Sequence, residues 1–423
     1  MKKLLAVTVF SGLLTLLRMA CSFIVGKMVA IYTGPGGMAM LGQIQGLQAA
    51  LGGIVSAPVG NAVVRFTAVH HMEGNDACAP WWRASLRWML LLLAVLVPVA
   101  CLAAPYLSTQ LFDDKKYAWL IALCALVLPL NGLNTLLGSV INGQQHYKKF
   151  IGYGLLSVTV STVLMLTLIM GRGLKGALLA ATLSTSVAAM VMLYACKNQS
   201  WLHFKYWWGK TEKKHMAEIA GYMGMAATSA LCLPLALIMT RKLLTAHLGW
   251  DIAGQWQAVY KISELYLGVI TMALSTYYLP RLATLQGSNA IKAEIGVTAK
   301  IVLPIISLIA LIIYLARDLV IGLLFTQQFS AARDLFSLQL IGDVIKIASW
   351  LYAYPMLSHG ATRWYISTEI LFSASFVGLV ALFLPRYGVQ GANLAYLINY
   401  IVYFLVVYCN INRFTNINIK QHN

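Results

Sequence analysis

The chain has 423 residues, of which 60% are apolar and only 10% are Asp, Glu, Lys or Arg, and its formal net charge is +18. A soluble domain carries about 25% charged residues, so this composition excludes a soluble enzyme, a disordered chain and a nucleic-acid-binding domain. Most of the chain is therefore expected to lie in lipid.

Twelve apolar runs are long enough to cross a bilayer, which requires about 20 residues per helix. The first run starts like a signal peptide after Lys2 and Lys3. Because Arg18 interrupts it and it continues to about Ile31, we expect an uncleaved span instead. The predicted spans are 4–32, 38–64, 84–108, 118–141, 151–171, 176–196, 217–246, 252–280, 295–316, 330–358, 361–384 and 388–410.

Arg18 lies deep in the first predicted span, about 20 Å along the helix at 1.5 Å per residue. The first two spans contain no acidic residue, so an aqueous cavity that receives anions best explains this charge. Lys27 lies on the opposite side of the same helix, where it can point inward or extend to the membrane surface. The Gly34-Pro35-Gly36-Gly37 segment is predicted to form a short outer hairpin, since it lacks the Lys-Ser/Thr of a phosphate-binding loop.

The fourth span carries a polar but uncharged stripe, formed by Asn131, Asn134, Gly138 and Asn142. Positions three, four and eleven residues apart fall on one side of a helix. Such a stripe suits contact with a hydroxyl-rich cargo and equally suits hydrogen bonds between helices. The sequence leaves both roles open.

The longest polar connection separates the spans into two groups of six, and we predict the domain organisation from it. Lys and Arg concentrate in the segments on the side of the N-terminus, which favours a cytoplasmic location for both termini. In this connection Trp201, Trp207 and Trp208 stand among lysines, as in a segment that lies on anionic lipid. The predicted parts are an N-terminal six-helix bundle (1–196), a cytoplasmic amphipathic linker (197–216), a C-terminal six-helix bundle (217–410) and a cytoplasmic polar tail (411–423).

The eighth and tenth spans each place a glutamine, a base and an acid on one helix face, with the base and the acid three residues apart. These stripes can line a hydrated interior wall, or each pair can only lock helix packing. We expect lining, because the glutamines extend the stripes beyond the pairs. The residues are Gln257, Lys261 and Glu264 in the eighth span and Gln339, Asp343 and Lys346 in the tenth.

The membrane interior is predicted to be net cationic, because its acids, Glu264, Asp343 and Glu369, are outnumbered by bases. A cationic interior favours an anionic cargo, and the planar fork of arginine suits phosphate. Arg241 and Lys242 are adjacent, so at most one of them points fully inward. The bases within predicted spans are Arg18, Lys27, Arg241, Lys242, Lys261 and Lys346.

Several stretches resemble the Wzx-type flippases of lipid-linked oligosaccharides, the polysaccharide transporter branch of the multidrug/oligosaccharidyl-lipid/polysaccharide (MOP) exporter superfamily. The first span and its turn look like the branch that moves O-antigen or enterobacterial common antigen units. The stretches are Val25-Gly-Lys, Thr33-Gly-Pro-Gly-Gly, Arg241-Lys-Leu-Leu, Trp250-Asp-Ile-Ala-Gly-Gln-Trp-Gln, Ile262-Ser-Glu, Tyr278-Leu-Pro-Arg-Leu, Phe329-Ser-Ala-Ala-Arg-Asp-Leu-Phe and Gln339-Leu-Ile-Gly-Asp-Val-Ile-Lys.

The resemblance implies an all-α membrane protein whose two six-helix bundles enclose a cationic cavity. It implies transport of an undecaprenyl-diphosphate oligosaccharide from the inner to the outer leaflet of a bacterial cytoplasmic membrane by alternating access. The six bases named above are the expected diphosphate and cavity cations. Membrane lipids, a glycan polymerase and a chain-length regulator are the expected partners, and no cofactor, metal or nucleic acid is expected.

Two other functions stay open at this point. A multidrug or toxin antiporter of the same superfamily should carry a net acidic cavity for organic cations. A membrane glycan polymerase or glycosyltransferase should carry a large outer loop. The coupling of transport also stays open between protons or sodium, through Glu264, Asp343 or Glu369, and the membrane potential alone.

Overall fold

The structure, a computed structural model, describes residues 2–285 and 287–415, and within these ranges it contains helices and turns but no strands. The predicted all-α class is therefore confirmed. The helices are α1 (Lys2–Ser56), α2 (Asn61–His70), α3 (Asn75–Phe112), α4 (Ala118–Leu126), α5 (Leu128–Gly143), α6 (Tyr147–Cys196), α7 (Lys213–Leu248), α8 (Trp250–Ala273), α9 (Leu279–Thr284), α10 (Ser288–Leu315), α11 (Arg317–Leu324), α12 (Phe336–Ser358), α13 (Thr362–Tyr387) and α14 (Gln390–Thr415).

Ten helical stretches of the described chain are long and apolar enough to cross a membrane. Two helices within them, α1 with 55 residues and α6 with 50, would extend about 75–83 Å, whereas a hydrocarbon core is about 30 Å thick. Each turns at a glycine with positive φ, at Gly34 (φ 66°) and Gly173 (φ 53°). Dividing both helices there gives twelve crossings, in agreement with the prediction.

Some predicted span limits differ from the structure. The second span, 38–64, is broken between α1 and α2, around Pro58, which cannot donate the backbone hydrogen bond that a continuous helix needs. The final helix continues to Thr415, so the start of the predicted tail at 411 is helical, and 416–423 lie outside the described residues.

The chain forms two compact units, Met1–Thr33 with Met40–Ile238, and Gly34–Ala39 with Met239–Asn423. We call these the first unit and the second unit. The predicted linker, 197–216, lies inside the first unit, because its backbone is held by α3. Arg83 Nη2 donates to Lys205 O (2.6 Å) and Arg87 Nη2 donates to Gly209 O (2.6 Å).

The tryptophans of the predicted linker differ in their surroundings. Trp201 is buried in the core of the first unit, and Trp207 stacks on Trp82 with ring centroids 5.2 Å apart. Trp208 is 61% exposed and stacks on the exposed Phe204. Trp201 therefore packs against α3 in the core of the first unit, whereas Trp208 is exposed on the predicted linker.

The Gly34–Ala39 segment packs on the beginning of α8 in the second unit. Gly36 N donates to Asp251 Oδ1 (3.1 Å). A Cβ added at Gly254 would lie 1.8 Å from Pro35 O, a distance that no side chain can occupy. The backbone of the predicted outer hairpin therefore lies directly against α8, and this contact requires glycine at 254.

Candidate functional site

A cavity of about 670 Å³ lies within the first unit. Its walls come from α1, α2, α5 and α6, and Arg18 is the only charged residue among the described residues that line it. Binding pockets for small organic molecules typically measure about 300–1,000 Å³. The cavity is therefore large enough for a small organic group, and the one charged residue in its described lining is positive.

The Arg18 guanidinium is open to this cavity. None of the ion pairs in the described part of the chain includes Arg18. Gly154 of α6 lies beside it, since a Cβ added there would be 3.8 Å from Arg18 Nη2. The guanidinium therefore faces the cavity without an ion-pair partner among the described residues.

The polar stripe of α5 is divided between the cavity and the core. Asn134, Gly138 and Asn142 line the cavity. Asn131 is buried instead, and its Nδ2 would lie 3.6 Å from a Cβ added at Gly52. Three of the four stripe residues therefore face the cavity, and the fourth, Asn131, is buried beside Gly52 of α1.

The hydroxyl residues of α6 were missed in the sequence. Ser157 and Ser161, four residues apart, share one helix face, but the adjacent positions 161/162 and 184/185 give no such signal, and the turn at Gly173 separates the two groups. Those that line the cavity are Ser157, Ser161, Thr162, Ser184 and Thr185.

In the second unit, two side-chain pairs involve α8, of which only the Lys261–Glu264 pair was predicted. Arg241 is buried, and its Nη1 donates to Gln257 Oε1 (2.9 Å). Lys261 Nζ donates to Glu264 Oε2 (2.8 Å), as the spacing of three residues predicted, with Glu264 exposed. Lys242 of α7 is half-buried.

Asp343 and Lys346 on α12 do not form the predicted ion pair. Asp343 is fully buried and accepts hydrogen bonds from Tyr266 Oη (2.6 Å), Tyr396 Oη (2.8 Å) and Gln339 Nε2 (3.2 Å). The carboxylate is thus satisfied by neutral donors from α8, α14 and α12 itself. These two tyrosines were missed because they approach α12 only through tertiary packing.

The Lys346 ammonium lies among aromatic rings instead. Its Nζ is 4.9 Å from the ring centroid of Trp350, 5.3 Å from that of Tyr400 and 5.6 Å from that of Tyr396. Such cation–π contacts stabilise a desolvated cation. With Lys346 only 5% exposed and Asp343 fully buried, the structure shows packing at these two positions and not the predicted water-lined wall.

Lys27 on α1 and Glu369 on α13 are both half-buried. Neither residue lines the first unit's cavity. Of the predicted site residues, the structure therefore brings Arg18 and Asn134 together at one cavity, and it groups most of the others around α8 and α12.

Tyr396→Phe is expected to destabilise the second unit, because Asp343 loses one of its hydrogen-bond donors in a buried position. A hydrogen bond to a charged group contributes about 1.5–3 kcal/mol. The measurement is the apparent Tm of the detergent-solubilised protein. Tyr400→Phe is the matched control, since it keeps the ring over Lys346. Equal Tm values for the two variants would refute this role of the Tyr396 hydroxyl.

Comparison with known proteins gives consistent results. The model of a family described as polysaccharide biosynthesis protein matches residues 83–334. Relatives named lipid III flippase from Escherichia coli (strain K12) and Shigella flexneri are each 30% identical over 393 residues, covering 92% of this chain and 94% of theirs. Among solved structures, the inward-facing conformation of a multidrug resistance MATE family transporter of the MOP superfamily gives a TM-score of 0.77 at 15% identity, covering 95% of this chain and 96% of that one. At this identity the likeness to the solved structure shows a shared fold.

Proposed function

Because the chain belongs to the polysaccharide biosynthesis protein family and is a flippase-type transporter rather than an enzyme, we propose that it translocates an undecaprenyl-diphosphate-linked oligosaccharide. The cargo is a repeat unit of O-antigen or enterobacterial common antigen type, moved from the cytoplasmic to the periplasmic leaflet. The 30% identity to lipid III flippases over 92% of the chain supports this substrate class.

The observation that carries the proposal is the cavity in the first unit, with one guanidinium and uncharged polar walls. The lipid tail of such a cargo can stay in the bilayer, but its sugars and phosphates would lose their water in hydrocarbon at a high free-energy cost. A polar cavity lowers this cost, and the Arg18 fork can donate two hydrogen bonds to a phosphate.

The proposed cycle is alternating access, in which the binding site is exposed first to one side of the membrane and then to the other. With the inside of the cell negative, outward movement of each negative charge is favoured by about 2.3 kcal/mol per 100 mV. The membrane potential therefore supplies a driving force without nucleotide hydrolysis.

The proposed location is the bacterial inner membrane, with both termini in the cytoplasm, as the distribution of Lys and Arg favours. A fluorescent protein fused to the C-terminus should then fluoresce, and alkaline phosphatase fused there should be inactive. A glycan polymerase and a chain-length regulator, which act on the translocated unit, are the proposed partners.

Cells that lack this chain are expected to accumulate the lipid-linked repeat unit on the cytoplasmic side and to lose the surface glycan. Proteoliposomes containing the purified protein should move this accumulated lipid to the opposite leaflet, as measured by its accessibility to a glycosidase added outside. Loss of polymer with single units already translocated would identify a polymerase defect. Export of organic cations without lipid movement would support the antiporter instead.

A further inference from the structure

We propose that the hydroxyl residues of α6 form a saccharide-binding wall that selects the head group of the cargo. The hydroxyl wall is defined as Ser157, Ser161, Ser184 and Thr185, which all line the cavity of the first unit. The inference rests on the proposed function and assigns different parts of the cargo to different walls of the cavity. Arg18 on α1 binds the anion, and α6 recognises the sugars.

The two halves of α6, before and after the turn at Gly173, both contribute to this wall. Ser161 Oγ donates to Ser184 O (3.1 Å), which ties the two halves together. Ser184 Oγ in turn donates to Ala181 O (2.8 Å). These two hydroxyls hold the wall in shape, because their hydrogen-bond donors are already used within the protein.

Ser157 and Thr185 differ from them, because the hydroxyl oxygen of each is buried and has no hydrogen-bond partner among the described residues. Ser157 is only 8% exposed. Serine and threonine inside helices usually donate to the carbonyl three or four residues earlier, as Thr162 does to Val158 O and Thr182 does to Leu178 O on the same helix. Both residues line the cavity. A rotation about χ1 would turn either hydroxyl toward it, where a bound head group can supply the missing hydrogen-bond partner.

The chemistry of the wall favours a saccharide over a second phosphate. A hydroxyl can both donate and accept, which matches the hydroxyl and acetamido groups of sugars. A phosphate would require further cations, and α6 contributes none to the lining. The amides of Asn134 and Asn142 on α5 also line the cavity, and they too can both donate and accept hydrogen bonds without carrying a charge. Val158 and Met165 provide apolar contacts for the C–H faces of sugar rings.

The test is the double variant Ser157→Ala with Thr185→Val, which removes both unpaired hydroxyls and keeps the side-chain volume nearly unchanged. Ser186→Ala is the matched control. Ser186 adjoins Thr185, is 1% exposed and also has an unpaired hydroxyl, but it does not line the cavity. The probes are undecaprenyl diphosphate carrying a single N-acetylglucosamine and the complete repeat unit that accumulates in cells without this chain.

The double variant is expected to translocate the complete unit about tenfold more slowly than wild type, at roughly threefold per lost hydrogen bond. Its rate with the single-sugar probe should fall less, so that the ratio of the two rates changes. The apparent Tm should stay equal to that of wild type or rise, because unpaired buried hydroxyls are removed. The control should translocate both probes at the wild-type rate.

A second readout reports binding without transport. Cys21 is a free, half-buried cysteine in the lining of the same cavity. In a variant with Cys101, Cys232 and Cys409 replaced by alanine, the complete unit should slow alkylation of Cys21 by a maleimide. The hydroxyl-wall substitutions should weaken this protection in parallel with the loss of rate.

The outcomes separate the two proposals. A wild-type protein that translocates neither probe overturns the proposed function. A wild-type protein that translocates the complete unit, with a double variant of equal rate and equal protection, overturns only the hydroxyl wall. A double variant that loses rate and apparent Tm together, with both probes affected alike, also overturns it, because the hydroxyls would then serve packing.

Discussion

Arg18→Ala is expected to lower the rate of lipid-linked oligosaccharide translocation by about a hundredfold while the protein is still made and inserted. A hydrogen bond to a charged group contributes about 1.5–3 kcal/mol, and each 1.4 kcal/mol is about a factor of ten, so loss of the guanidinium's hydrogen bonds to a phosphate corresponds to about a hundredfold. Arg18 is the only charge among the described residues that line the cavity, so no neighbouring base replaces it there. The measurement is the initial rate in proteoliposomes at equal protein content.

Two further variants sharpen this result. Arg18→Lys keeps the charge but not the planar fork, so an intermediate rate is expected. Arg172→Ala removes an exposed arginine of α6 that does not line the cavity, and it should leave the rate unchanged. Normal surface glycan in cells that contain only Arg18→Ala at normal abundance would exclude Arg18 from the binding site.

Gly254→Ala is expected to destabilise the second unit strongly. The added Cβ would lie 1.8 Å from Pro35 O and 2.8 Å from Pro35 Cα, so the backbone of the Gly34–Ala39 segment must move away from α8. Overpacking typically costs about 1–3 kcal/mol and occasionally more, which corresponds to a drop in apparent Tm of roughly 10 °C at the upper end. The measurement is thermal unfolding of the detergent-solubilised protein.

Gly268→Ala is the matched control for this prediction. It lies on the same helix, and a Cβ added there meets nothing within 4 Å. Because alanine favours a helix more than glycine does, its Tm should equal or exceed that of wild type. Equal thermal stability of the Gly254 and Gly268 variants would show that the Pro35 backbone does not constrain α8.

The helical fold could be predicted from the sequence because hydropathy depends on local composition. The positions of Gly34 and Gly173 within long apolar stretches mark where the chain must turn back. The exposure of Arg18 to a cavity also followed from local facts, namely its depth in the span and the lack of acidic residues in the first two spans. These features need no knowledge of which helices are neighbours.

The features that could not be predicted depend on distant partners. Asp343 binds Tyr396, which is 53 residues away, and this contact removes the carboxylate from Lys346. The burial of Trp201 depends on packing beside Trp82. The unpaired hydroxyls of Ser157 and Thr185 could not be predicted either, since spacing alone does not show whether a hydroxyl in a helix donates to a carbonyl of that helix.

The placement of Gly34–Ala39 in the second unit has a consequence for biosynthesis. Gly36 leaves the ribosome early, but Asp251, to which it hydrogen-bonds, is 215 residues further along the chain. The second unit therefore cannot be completed by its own contiguous stretch of nascent polypeptide, and the segment Gly34–Ala39 lacks its packing partner until α8 has been synthesised. Closing so long a loop carries an entropic cost, so assembly of this fold reaches completion only late in translation.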